Sequence, residues 1–399
     1  MRKQKEELWL KIIRILLACV FIFSGLMKAV DPVASAIKID EYFISFGMAF
    51  MHPFSMFFAI MLNIVEFTLG FMLLFRIKVK FTSIIYLLFM IFFLCLTLWL
   101  AIAEHLETHY GYNFGVVKDC GCFGQAVEMS NLQTFLKNIV IMIPTLLILF
   151  KRKSIPDIHL TELGKWSFAF VGVIIVCGIQ WYSYRHLPMI DFSNWKKGEN
   201  VTETFIEKPA VKNIMFVYLN LTDSTVMNLT EDELMTISDK IPGFYEQYKY
   251  LDRKDSVISK LVRAKKDGFN MLDTAGSDHA FEILNVKNEA PVMLLLIHDL
   301  DEVNEKGIKQ PILKKLVEDC QKQGIVFVGL TNSSQAEIAK FKEMYHLTFP
   351  VYQNPIDPIK GPFMVRDAIR SNPGLILIQK GVVKDKWAWR DFPTYEEIQ

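Results

Sequence analysis

Trp9 to Val30 reads WLKIIRILLACVFIFSGLMKAV, and this stretch decides what kind of molecule the chain is. An apolar run must reach roughly 20 residues to cross the ~30 Å hydrocarbon core of a bilayer as a helix. This one does. Four more qualify or come close: about Phe54 to Phe75, Phe81 to Ala103, about Leu132 to Phe150 and about Trp166 to Trp181. The chain has 399 residues, 52% of them hydrophobic, with a mean hydropathy of +0.25. The hydrophobicity is concentrated before about Tyr182, and the remainder has the composition of an ordinary globular domain. Formal net charge is +1, and no basic run carries interleaved aromatics, so nucleic acid is not an expected partner. The lipid bilayer is.

Lys and Arg in short loops set orientation. Three clusters stand out: Arg2, Lys3 and Lys5; Arg76, Lys78 and Lys80; Lys151, Arg152 and Lys153. With five spans, all three fall on one side, which should be cytoplasmic. The loops Asp31 to His52 and Glu104 to Asn131 then lie outside, as does everything from Arg185 on. A cleaved signal peptide does not fit, because the apolar run continues past any cleavage site. Leu16-Leu17-Ala18-Cys19 has the form of a lipoprotein box, but Cys19 is followed by more membrane-type sequence. Pro144 inside the fourth span reads as a kink, since neighbouring helices can satisfy the freed backbone groups.

Of six cysteines, Cys19, Cys95 and Cys177 lie in apolar runs and Cys320 is alone in the polar half. Cys120 and Cys122 form the only close pair, in Asp119-Cys120-Gly121-Cys122-Phe123-Gly124. A small disulfide ring is feasible at this spacing, with Gly121 relieving the backbone. A strained, exposed disulfide exchanges readily, and Lys118 alongside favours a thiolate. Cys120 and Cys122 are therefore the candidate redox pair, at a face oxidising enough to hold such a bond. Two other readings stay open: a structural staple for the loop, or a metal site. In the latter, His105 and His109, four apart on one helix face, join Cys120 and Cys122 as a His2Cys2 set.

Glu66 lies about midway along the second span. A carboxylate at that depth is expensive and faces the bundle interior, for proton transfer or for a packing contact. Asn63, one turn earlier, is placed to hydrogen-bond to it. Lys28 and Asp31 end the first span. By depth alone they snorkel to the interface, and a Lys28–Glu66 pair needs a shift from the plain register.

The lysine after Gly25 (Lys28), the glutamate of the second span (Glu66) and Cys-Gly-Cys-Phe-Gly after the third resemble the DoxX-like superfamily, and the cysteine element resembles its MauE branch. The resemblance covers about Trp9 to Phe150. It implies a bacterial inner membrane, with the C-terminal region periplasmic, and a role near methylamine utilisation, where disulfide-rich client proteins are matured. It also implies thiol or quinone-linked redox work, with Lys28 and Glu66 as accessory site residues and a quinone as the candidate carrier. The expected organisation is a four-helix DoxX/MauE-like membrane domain (1–153), a linker and fifth anchor helix (154–183), an extracytoplasmic α/β region (184–290) and a redoxin-like domain (291–399).

That last domain is read from its pattern. Val292 to Ile297 is a continuous apolar run, as in a strand buried on both faces. Helix about Gln310 to Gln323, strand Ile325 to Leu330, helix Ser334 to Tyr345 and the hairpin Leu375 to Gln379 with Val382 to Trp389 follow. This α/β order resembles a thioredoxin-like fold, with Pro373 at the place of the family's cis-proline. The active Cys-x-x-Cys is missing; the chain reads His298 to Val303 there. Cys320 points at the core by its helical spacing. The domain is thus expected to dock a partner, a redox or client protein, rather than exchange disulfides. Between Asn200 and Glu289, a strand Ile214 to Leu219 and charged helices around Glu231 to Ser238 and Asp255 to Lys266 suggest a second small α/β unit. A non-enzymatic membrane scaffold is the alternative to a redox protein.

Overall fold

The structure, a computed structural model, describes residues 6–112, 114, 117, 120–125, 127, 129–205, 211–259, 269–284, 290–356 and 363–398. Arg2, Lys3, Lys5, Lys118 and Asp119 lie outside the described residues.

Among those described, five helices are long and apolar enough to cross a membrane. They are α1 (Leu8–Val30), a 3-10 turn Ala49–Phe54 running into α3 (Ser55–Leu74), α4 (Val79–Tyr110), α5 (Asn131–Lys151) and α6 (Glu162–Arg185). The chain is a multi-pass membrane protein. α4 and α6 extend past the runs expected for them by several residues, because polar ends continue the helix after the apolar run stops. α5 begins at a capping box, Ser130 with Gln133, and holds Pro144 without interruption.

The segment expected as a loop from Asp31 to His52 contains another helix, α2 (Pro32–Ser45). Its start was written in the sequence. Asp31 accepts from the Ala34 amide (2.9 Å) as N-cap, and Pro32 takes the first helical position. The aligned apolar span hid this break.

α1 and α3 run antiparallel and close together. A Cβ on Gly25 would stand 2.7 Å from the Phe67 nitrogen, and one on Gly70 would stand 2.8 Å from the Ile22 nitrogen. Small residues let the backbones approach in this way. Arg14 locks the far end, donating to the carbonyls of Leu73 (2.9 Å) and Leu74 (2.7 Å) in the last turn of α3. α6 is more than the expected anchor. It packs into the bundle, with Gly172 against the Phe71 ring and Gln180 bonded to Asn63 (3.1 Å). At the end opposite the C-terminal region, the α3–α4 turn meets the segment that leads into α6. The Ile158 amide donates to the Arg76 carbonyl (2.9 Å) and Lys78 pairs with Glu162.

Beyond the bundle come α7 (Val201–Phe205), β2 (Val211–Asn220), β3 (Val226–Thr230), α8 (Glu231–Lys240), α9 (Phe244–Gln247), β4 (Tyr248–Ser259) and α10 (Ala280–Leu284), with β1 (Cys122–Gln125) earlier in the α4–α5 loop. Strands β3-β2-β4 form an antiparallel sheet of three. The expected helix from Asp255 is a correction: Asp255 to Ser259 belongs to β4, paired to β2, and residues 260–266 lie outside the described ones.

Then follow β5 (Val292–Ile297), α11 (Glu305–Lys309), α12 (Pro311–Lys322), β6 (Val326–Thr331), α13 (Gln335–Tyr345), β7 (Val351–Gln353), α14 (Phe363–Ala368), β8 (Gly374–Gln379) and β9 (Val382–Ala388). They build a five-stranded sheet, β7-β6-β5-β8-β9, parallel at β5/β6/β7 and antiparallel at β8/β9. The Asn372–Pro373 peptide is cis. Both faces of β5 are covered, which accounts for its unbroken apolar run. Met293, Leu295 and Ile297 face α12 and α13, including the buried Cys320, whose thiol burial pushes up to about 11. Val292, Leu294 and Leu296 face a core that also holds Trp195, Val201, Phe205, Met271 and Leu284. The division expected at residue 290/291 is therefore not a core boundary, because segments on its N-terminal side fill the second face of this sheet.

Candidate functional site

The α4–α5 loop folds back onto the bundle, and β1 packs along α1. Gly121 adopts φ +65°, and a Cβ there would stand 2.8 Å from Lys38 Cγ, so glycine alone fits between the two cysteines. Tyr42 on α2 donates to the Cys120 carbonyl (3.3 Å), and Ser24 on α1 donates to the Cys122 carbonyl (2.5 Å). Both cysteines are thiols, with sulfurs 3.3 Å apart. The expected ring is not closed in this structure, though the sulfurs are in contact.

The thiols differ. Cys120 is buried against Leu100 and Val117. Its hydrogen bond with Cys122, and then its burial, hold it well above the ordinary thiol range. Cys122 is half-buried. Its contact with Cys120, joined by Lys137 and Lys28, outweighs the opposing effect of burial and lowers it to about 6.

Lys28 lies behind Cys122. It is 6% exposed and Glu66 is 5% exposed. The Lys28 ammonium donates to Glu66 Oε2 (2.5 Å) and to Ser24 Oγ (3.3 Å). No register shift is needed. Side chains on a helix lean toward its N-terminus, so on antiparallel α1 and α3 the two lean toward each other. The snorkelling reading of Lys28 and Asp31 is thereby corrected, because α2 and the C-terminal region cover this end of α1. Asn63 does not meet Glu66 as expected. It donates to the Lys28 carbonyl (3.2 Å) and to Gln180 Oε1 (3.1 Å).

Two cavities touch Cys122. A small one of about 30 Å³ is lined by Ser24, Lys28, Glu66, Cys122, Lys137 and Asn138 among others. A larger one of about 390 Å³ is mostly apolar, walled by Tyr42, Phe43, Phe58, Phe92 and Leu96, with Cys120 and Cys122 at its edge. Lys137 was passed over in the sequence, because a lysine near a span's end reads as interfacial. Its spacing from Asn138 and Thr134 on the buried side of α5 was the available signal.

The alternative metal set is not assembled. Among the described residues no three His, Cys, Asp or Glu side chains gather as a metal site. His105 and His109 stack on each other at 4.2 Å on the exposed end of α4. The C-terminal region docks beside the thiols through a buried ion pair, Arg370 Nε to Asp31 Oδ2 (2.9 Å), three residues after Lys28. Burial opposes the Arg370 charge, but Asp31 and Asp367 outweigh it and hold the guanidinium ionised. Just after β5, His298 bonds the Ile369 carbonyl (2.7 Å), and burial, aided by Arg366, lowers it to about 3.

No curated protein and no solved structure matches the chain. Residues 7–151, holding α1 to α5, match the family model described as Methylamine utilisation protein MauE, and this part of the chain holds several apolar helices.

Proposed function

We propose that the protein carries out thiol–disulfide redox chemistry with Cys120 and Cys122, at the extracytoplasmic face of a bacterial inner membrane. One observation carries the reading: two thiols 3.3 Å apart, held at the edge of a largely apolar cavity and backed by a buried ion pair. Oxidation of the pair forms one S–S bond and gives up two electrons and two protons. The orientation rests on the cation clusters at the end away from the C-terminal region. The kinship with DoxX-like proteins rests on Lys28, Glu66 and the cysteine element. The family model's description points to methylamine utilisation.

A quinone fits the larger cavity by volume and by its aromatic walls, with Tyr42, Phe43, Phe58 and Phe92 as the residues to hold it. Bound there, the carrier would exchange two electrons with the pair, taking them as quinone or returning them as quinol to a pair oxidised by a partner disulfide. The chain's own part is to keep the two sulfurs in contact and to shield them from water. The C-terminal sheet, read as thioredoxin-like, has no cysteine at its His298 to Val303 loop and serves as a docking platform for a redox or client protein.

Thiol trapping in intact cells tests this. Cys120 and Cys122 should be found in both dithiol and disulfide states, shifting with quinone supply. A pair fixed in one state, with C120S/C122S behaving as wild type, sinks the idea. The second reading, a non-enzymatic scaffold, is favoured by the cysteine-free loop of the C-terminal sheet. It expects co-purifying partners that survive loss of both cysteines.

A further inference from the structure

The small cavity behind Cys122 gathers an unusual set of charges. Among the described residues lining it are two ammonium groups, Lys28 from α1 and Lys137 from α5, and one carboxylate, Glu66 from α3. Lys28 and Glu66 are in direct contact. Lys137 lines the same cavity as Cys122, and its charge favours the thiolate there. Charges enclosed by apolar helices are tolerated when they balance, since an uncompensated one costs several kcal/mol. Two ammonium groups in the wall beside Cys122 favour a thiolate there. Cys120 is packed against Leu100 and Val117, and among the described residues Lys28 is the cation that acts on it. The other groups facing the pair are the Tyr42 hydroxyl and Lys38, which is itself paired with Glu41 (2.7 Å). The cavity, about 30 Å³, also has room for a water touching these polar groups.

We propose that Lys137, together with Lys28, holds Cys122 as the nucleophilic thiolate of the pair and leaves Cys120 as the resolving thiol. Lys137 is a positioning residue acting through the Cys122 sulfur. The substrate class that follows is a protein disulfide, a choice that rests on the redox reading above. The Cys122 thiolate attacks one sulfur of that disulfide. The partner's S–S bond breaks, and the leaving thiolate takes up the proton that Cys122 gave to solvent. Cys120 then attacks Cys122 in the mixed disulfide, and its proton goes to the second departing sulfur. The partner ends as a dithiol, reduced by two electrons, and the Cys120–Cys122 bond is formed.

The test is site-resolved alkylation of the reduced full-length protein in lipid nanodiscs, read by mass spectrometry across pH. In wild type, Cys122 should react at least about tenfold faster than Cys120 at neutral pH, with a midpoint below the ordinary thiol range. Lys137→Gln should move that midpoint up by about one pH unit, and Lys137→Arg should restore it. The wild-type profile stands even if the glutamine variant fails to fold. Equal reactivity of the two thiols, or a midpoint indifferent to Lys137→Gln, overturns the proposal. A thiolate at Cys122 in a pair that never cycles in cells would uphold this assignment while removing the redox function.

Discussion

Lys28 and Glu66 neutralise each other in a place where neither alone is tolerable. Removing one partner of a buried pair leaves an uncompensated charge, costing about 3–5 kcal/mol, whereas replacing both by apolar side chains is often neutral. Lys28→Met alone should therefore destabilise the bundle strongly, and Lys28→Met with Glu66→Met should recover most of the loss. Denaturant unfolding in bicelles reads this, and a double variant no better than the single one would show that the pair does not act as a unit. Sequence made each residue visible as an ionisable group in an apolar run. It could not show that they meet, because the meeting depends on how closely α1 and α3 approach.

That approach belongs to the helices as elements. Gly25 and Gly70 let the α1 and α3 backbones touch, and any Cβ at Gly25 meets the Phe67 backbone below 3.0 Å. Gly25→Val should push the helices apart at a cost of about 1–3 kcal/mol. It should also open the Lys28–Glu66 contact, so that the thiol loop loses its floor. Loss of stability alone, with unchanged alkylation of Cys122, would mean that the loop is held by α2 and not by α1. The elements were largely legible in the sequence where one environment covers a whole segment: lipid around the spans, apolar layers around β5. They were misread where two environments share one segment. α2 was taken for loop because its polar and apolar residues serve different neighbours. The end of β4 was taken for helix, and its pairing is set by β2, a strand distant in the chain.

At the scale of the molecule, the bundle and the C-terminal region are tied by Arg370 and Asp31, both buried, at the break between α1 and α2. A second pair, Arg366 with Asp40 at 4.0 Å, lies along the same helix α2. The region beyond α6 is thus docked on the element that carries Tyr42 and Lys38 beside the thiols. Arg370→Met should strand Asp31 and loosen this docking. Hydrogen exchange should then rise in α2 and α14 and not in β5 or β6. Unchanged protection in α2 would mean that other contacts hold the two parts together.

What the sequence by itself determined is the set of properties that sum along a short stretch: five apolar spans, a strand buried on both faces, a cysteine pair one residue apart with glycine between. What only the tertiary structure decided are contacts between residues far apart in the chain: Lys28 with Glu66 across 38 positions and Asp31 with Arg370 across 339. The entry of Lys137 into the wall behind Cys122 is of the same kind. The reason is physical. Hydrophobic burial averages over many residues and tolerates error, while the charge balance around a single sulfur depends on a few side chains whose positions are set by the packing of whole helices.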